Sequence, residues 1–237
     1  MIFQEKFDKM LSEDVPFYMK EFFPVNKHLK PFYVKDIMSW SELEKLINLR
    51  PLMSNSRFQC SEDKNFTWPN RSWLSDVNTY PPQTVKAMMK LGTCYITDCS
   101  RVNKTINSMC KYIEDSTGSA TDAHIYFSQV KDKSFGVHCD SSANFIVQCE
   151  GETYFKVWDI KGSPGEEYDM EARLGVPKPE PLIDVLMKPG DIVFIPSLMY
   201  HQAVSKTNRV SVSFPIDMLN KKPEYIQERD WIRLCTN

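Results

Sequence analysis

The chain has 237 residues, of which 42% are hydrophobic and 25% charged, a composition that supports a buried core and argues against a largely disordered protein. Twenty-nine Lys and Arg stand against 31 Asp and Glu, so no excess of positive charge is available to hold a phosphate backbone, which leaves nucleic acid unsupported as a partner without excluding it. Only four histidines occur, His28, His124, His138 and His201, so any histidine-based metal site has few possible sources.

Residues 1–14 mix charge into their apolar positions and lack the uninterrupted hydrophobic run of a signal peptide, and Phe3, Phe7, Met10 and Leu11 recur at helical spacing. No apolar run approaches the roughly 18–20 residues that a membrane helix needs. Seven scattered cysteines without a C-x-x-C pair fit neither a disulfide framework nor a zinc ribbon. Together these features set the expectation of a cytoplasmic, reducing location with no membrane partner. The three sequons at Asn65, Asn70 and Asn103 then read as chance matches.

In SWSELEKLINLRP, Ser41 followed by Glu44 resembles a capping box, Leu43, Leu46 and Ile47 share a face, and Pro51 stops the helix. Residues 55–82 are polar and aromatic without a period and read as a long loop, with Trp40, Trp68, Trp73 and Trp158 as packing residues. PPQTVKAMMKLG predicts a helix closed by Gly92. After Gly92 the pattern changes. TCYITDC is strand-like, VNKTINSMCKYIEDSTG is helical with Ile106, Met109, Cys110 and Ile113 on one side, and ATDAHIYFSQV is a strand. From Val137 onward come short strands in succession: VHCD, NFIVQCEG, ETYFKVWDI, LIDVLMKPG, DIVFIPS, MYHQAVS and RVSVSFPI, interrupted by a Gly/Pro-rich acidic insert at 161–181. This spacing implies an antiparallel sandwich or barrel. The chain therefore reads as a single domain, 1–237: a helical lead-in and loop cover over 1–92, a β core over 93–216, and a C-terminal helix over 217–237. In that last segment Tyr225, Ile226 and Trp231 offer packing contacts or those of a homodimer.

Two histidines fall in the β half. In a strand, His138 and Asp140 project to one face while Cys139 points away, and His201 follows 63 positions later on a separate strand. If the sheet closes into a barrel, these three form a two-His-one-carboxylate set, the donor pattern that occupies one face of an octahedral Fe(II) and leaves the remaining positions open. His28 and His124 lack ligand partners at useful spacing and read as structural or surface residues.

The pieces GTCYITDC, HIYFSQV, HCDSSANFIVQCEGETYFKVWD and MKPGDIVFIPSLMYHQAVS resemble the JmjC/cupin-type Fe(II)- and 2-oxoglutarate-dependent oxygenases, most closely the branch with the ribosomal oxygenases and the asparaginyl hydroxylase of hypoxia-inducible factor. The resemblance implies a mainly β fold, a double-stranded β-helix of jelly-roll type behind a helical N-terminal cover. It also implies Fe(II) held by His138, Asp140 and His201, with 2-oxoglutarate and O2 as cosubstrates. The reaction expected is hydroxylation or demethylation at a substrate C–H, with succinate and CO2 as co-products, on a protein side chain or a small molecule. With the chain ending at Asn237, no C-terminal winged-helix region of the ribosomal-oxygenase kind is expected.

One departure stands out. The resembled enzymes commonly place a Lys or Arg fifteen residues after the first metal histidine to pair the distal carboxylate of 2-oxoglutarate, and here that position is Thr153. Lys156 falls on the opposite face of the strand. Arg209 is the better candidate, sharing a face with Ser211 and Ser213 in an R-x-S element that resembles one used by other 2-oxoglutarate oxygenases; the competing reading is a solvated arginine at a strand start. Asn144, six after His138, matches a polar position that often touches the cosubstrate, or caps a turn. Tyr126 is either a carboxylate partner or an ordinary strand aromatic. Two other functions fit parts of the pattern: a cupin-like metalloenzyme acting on a small molecule without 2-oxoglutarate, and a non-enzymatic ligand-binding barrel.

Overall fold

A computed structural model describes residues 14–23, 33–49, 53–54, 57–61, 79–162 and 180–221, with side-chain surroundings up to residue 217. In chain order the elements are β1 (Phe17–Met19), α1 (Val34–Ile37), α2 (Trp40–Ile47), β2 (Phe58–Cys60), α3 (Pro82–Met88), β3 (Cys94–Ile96), α4 (Lys104–Thr117), β4 (Ser119–Thr121), β5 (His124–Ser128), β6 (Ala143–Glu150), β7 (Thr153–Lys161), β8 (Ile183–Met187), β9 (Ile192–Ile195), β10 (Met199–Ser205) and β11 (Arg209–Lys221). None of the described helices is long and apolar enough to cross a membrane.

The strands form two antiparallel sheets. The larger runs β1-β9-β6-β11-β5-β3-β2, with β4 also pairing β11, and the smaller runs β10-β7-β8. They face each other as a double-stranded β-helix. The two sides of the large sheet differ because its strands alternate. Phe145, Val147, Val210, Val212 and Phe214 pack outward beneath the helices, joined by Leu43, Leu46 and Ile47 of α2 and by Ile106, Met109, Cys110 and Ile113 of α4. Each such side chain contributes roughly 1.5–3 kcal/mol on leaving water. Between the sheets lies a second apolar cluster of Phe155, Val157, Ile183, Met187, Val193, Ile195 and Met199. Val137, Cys139, Trp158 and Tyr200 make a third.

Local chemistry explains the helix ends. Asn103 caps α4 by accepting from the Ile106 amide at 2.8 Å, and Gly118 ends it in the left-handed region at φ 67°. For α2 the cap is Ser39, whose extended backbone lets its Oγ accept from the Glu42 amide at 3.3 Å. The helix thus starts earlier than the expected cap at Ser41. The helix at PPQTVKAMMKLG ends at Met88, and the Gly92 amide still donates to the Met88 carbonyl at 3.0 Å.

Four further expectations are corrected. The lead-in is not purely helical: β1 pairs with β9, Phe17 opposite Phe194, and Asp191 anchors the junction, 1% exposed and accepting from Tyr18 Oη, the Glu21 amide and the Lys188 amide at 2.8–2.9 Å. The loop over 55–82 contains β2, paired with β3. The strand expected at ATDAHIYFSQV is two, β4 and β5. The expected helix over 217–237 begins instead as strand, since β11 continues to Lys221 and pairs there with Ser119. Phe3, Phe7, Met10, Leu11, His28, Pro51, Trp68, Trp73 and the packing contacts at Tyr225, Ile226 and Trp231 lie outside the described residues. The six cysteines that are described are all buried, and none is in a disulfide among the described residues.

Candidate metal centre

His138 precedes β6 in a segment without ladder pairing, whereas His201 lies in β10. They are joined by a reciprocal main-chain pair, His138 N–H donating to the His201 carbonyl at 3.1 Å and His201 N–H to the His138 carbonyl at 2.8 Å. The imidazole centroids are 4.4 Å apart. Asp140, two residues after His138, brings Oδ2 within 3.6 Å of His201 Nε2. One ligand atom from each of the three residues lies within 4.8 Å of the others. Cys139 points the other way, into the third apolar cluster.

Both rings are oriented by backbone carbonyls. His138 Nδ1 meets Gly136 O at 3.2 Å and His201 Nδ1 meets Met199 O at 3.0 Å. A carbonyl only accepts, so the proton belongs on Nδ1 and the lone pair of Nε2 is left for a ligand. Burial, together with neighbouring His138, pushes His201 down to about 4 despite Asp140, so its ring is neutral at physiological pH. Two imidazoles, one carboxylate, close spacing and carbonyl partners on the far nitrogens fit a divalent cation of the Fe(II) type.

The three residues sit at one end of a cleft between the sheets. Ile146, Phe155 and Ala203 form its apolar walls, with the Phe155 ring parallel to that of His201 at 6.1 Å. The inward face of β11 supplies a row of polar groups along the floor. Ser213 donates to Asn144 Oδ1 at 2.9 Å, Ser211 donates to Gln148 Oε1 at 2.8 Å, and Arg209 donates from Nε to Ser205 Oγ at 3.0 Å and from Nη1 to Thr153 Oγ1 at 3.4 Å. Arg209 and Ser213 are four residues apart on one strand, about 13 Å between Cα atoms.

Arg209 is 3% exposed, which replaces the reading of a solvated arginine. Burial lowers its pKa to about 10, partly opposed by Tyr126, so it remains a cation at neutral pH. Among the described residues no carboxylate lies within ion-pairing distance of it. Thr153, at the position where the resembled enzymes carry a cation, supports the cation that comes from β11 by accepting from Arg209 Nη1. Lys156 projects from the other side of β7 and pairs with Asp184 at 3.3 Å.

Asn144 does more than cap a turn: its Nδ2 donates to Asp140 Oδ2 at 2.8 Å and to Ser142 O at 3.3 Å. Tyr126 lines the cleft and stacks on Tyr95, centroids 5.2 Å apart at 20°. Tyr95 in turn donates its hydroxyl to Gln59 of β2. Phe135, 37% exposed at the cleft wall, stands edge-on to both tyrosines. His124 stands outside the ligand cluster, 3.8 Å from Asp122. Gln148 and Ser205 belong to no motif of their own, yet alternation reaches both: Gln148 shares a face with Asn144 and Ile146, and Ser205 with His201 and Ala203.

Comparison with known proteins agrees with this geometry. The chain is similar to the bifunctional lysine-specific demethylase and histidyl-hydroxylase NO66 of Caenorhabditis elegans, 23% identical over 205 residues that cover 80% of this chain and 26% of that protein. It is 27% identical to the protein of the same name from Aedes aegypti over 107 residues, 43% of this chain and 16% of that one. Its fold resembles that of the ribosomal oxygenase YcfD of Escherichia coli, solved with cobalt and 2-oxoglutarate, at a TM-score of 0.56 and 20% identity over 97% of this chain and 56% of that one. The chain thus spans about a quarter of the length of the first of these curated relatives. The JmjC domain family matches residues 98–223, just over half of the 237, and the chain belongs to that family.

Proposed function

We propose that the chain is an Fe(II)- and 2-oxoglutarate-dependent oxygenase that hydroxylates or demethylates a protein side chain. The observation that carries this reading is Arg209. A buried guanidinium without a carboxylate partner is costly, and it faces the same cleft as the His138, Asp140 and His201 ligand set. A dicarboxylate with one end at the metal and the other at Arg209 satisfies both. When bound, Fe(II) and 2-oxoglutarate supply an oxidant from O2, with succinate and CO2 as co-products.

The chain's own residues do the rest. His138, Asp140 and His201 would hold the ion. Arg209, braced by Ser205 and Thr153, binds the distal carboxylate in a bidentate-capable fork. Ile146, Phe155 and Ala203 exclude water from the cosubstrate chain, while Ser211, Ser213, Asn144 and Tyr126 line its polar side. The names of the relatives, a lysine-specific demethylase and histidyl-hydroxylase and a ribosomal oxygenase, support a protein substrate. Six buried cysteines outside any disulfide suit a reducing compartment.

The test is an anaerobic titration of the Fe(II)-loaded protein with 2-oxoglutarate, followed by its visible charge-transfer absorption, then succinate release on admitting O2. The expected result is saturable absorption and turnover, both lost in Asp140→Ala. Iron binding without any response to 2-oxoglutarate would favour a cupin-like metalloenzyme acting on a small molecule, and failure to bind a divalent ion would favour a non-enzymatic barrel.

A further inference from the structure

We infer that Asn144 is a positioning residue for the carboxylate ligand, and that the Ser213 hydroxyl in turn holds the Asn144 amide in place. This rests on the metal-binding role proposed for Asp140. Asp140 lies in the stretch before β6 that has no ladder pairing, and its side chain is 37% exposed, so the backbone alone does not fix its rotamer. The side chain that bonds it is Asn144, 4% exposed on β6, whose Nδ2 donates to Oδ2 at 2.8 Å. Oδ1 has no hydrogen-bond partner among the described residues.

The polarity of this chain of groups follows from donor chemistry. A carboxylate only accepts, so the amide nitrogen must face Asp140 and the amide oxygen must face away. The group opposite that oxygen is Ser213 Oγ at 2.9 Å, which must therefore donate. A flipped amide would set oxygen against oxygen at Asp140. The oxygen that Asn144 holds is Oδ2, the same one that stands 3.6 Å from His201 Nε2, so the bond fixes the carboxylate oxygen that faces the histidine rings. Ser213 also lies on the strand that carries Arg209, so one strand supports both the metal end and the cation end of the cleft.

The experiment is calorimetric titration of the metal-free protein with Co(II), with the visible spectrum of the Co(II) form as a second readout. Asn144→Ala is expected to weaken Co(II) about 10–100-fold, the usual effect of removing a ligand's hydrogen-bond partner. The near-isosteric pair Ser213→Val and Ser213→Thr separates hydroxyl from shape: the valine variant weakens Co(II) and alters the spectrum, while the threonine variant restores both. If Asn144→Ala does not fold, that pair decides alone. A wild-type protein that binds no Co(II) defeats the metal reading itself, and this inference with it. A wild-type protein that binds while Ser213→Val matches it in affinity and spectrum overturns this inference only.

Discussion

Replacing Arg209 by Met should separate folding from cosubstrate binding. Burial takes the guanidinium down from its ordinary value, by roughly two and a half pH units, to about 10. At about 1.4 kcal/mol per pH unit, keeping it charged costs the free protein about 3 kcal/mol at every pH below about 10. Its two charge-assisted hydrogen bonds, to Ser205 and Thr153, return a similar sum at roughly 1.5 kcal/mol each. Arg209→Met keeps the apolar stem and removes both contributions, so the urea midpoint should stay close to wild type. A carboxylate arriving beside Arg209 cancels the burial penalty, and about 3 kcal/mol corresponds to on the order of a hundredfold in affinity. The anaerobic charge-transfer titration should therefore show 2-oxoglutarate bound about a hundredfold more weakly by Arg209→Met, with the affinity for Fe(II) alone unchanged. Binding within about threefold of wild type would refute the assignment of Arg209.

Burial lowers the pKa of His124, and burial with His138 lowers that of His201, so both rings stay neutral in the folded state where the unfolded chain takes up protons. The metal-free protein should accordingly be fully stable above the ordinary histidine value of 6.5 and lose stability as pH falls below it; urea midpoints at about pH 7.5 and 5.5 check the sign, and His124→Gln should reduce the difference. A midpoint that rises on acidification contradicts the reasoning. Gly151, at the β6–β7 turn with φ 67°, leaves no room for a side chain: a Cβ would stand 1.8 Å from Asn208 O and 2.7 Å from Thr207 Oγ1. Gly151→Ala should cost about 3 kcal/mol or more and lower the melting temperature by roughly 6–12 °C, and a shift below about 2 °C would show that the turn yields. Asn103→Ala removes the α4 cap and the bond from Asn103 Nδ2 to Ile37 O, for an expected loss of about 1–2 kcal/mol by chemical denaturation.

The β half was readable because alternation is a local property. Arg209, Ser211 and Ser213 on one side of β11, with Val210, Val212 and Phe214 on the other, state which face is core before any partner strand is known. The same holds for the stripe of α4, which its cap residues frame at both ends. What escaped was set by distant partners. Three residues of β1 carry no period of their own and become a strand only because β9, some 175 positions away, offers an edge. Likewise the burial of Arg209 and the role of Thr153 depend on a contact across 56 positions. Ser39 outcompetes Ser41 as a cap because its backbone, not its residue type, is extended at the helix start.

The reciprocal main-chain bonds between His138 and His201 have a practical consequence. The spacing of the two imidazoles is held by peptide groups, in the manner of a fixed socket, and owes nothing to the ion. Extracting the metal should then leave the polypeptide scaffold standing. Ions of similar size should then exchange in and out without a refolding event, unlike a zinc finger, where the ion is the reason the chain folds. Chelation and reloading should accordingly be fast and reversible, which makes spectroscopic substitutes for Fe(II) a direct way into this centre.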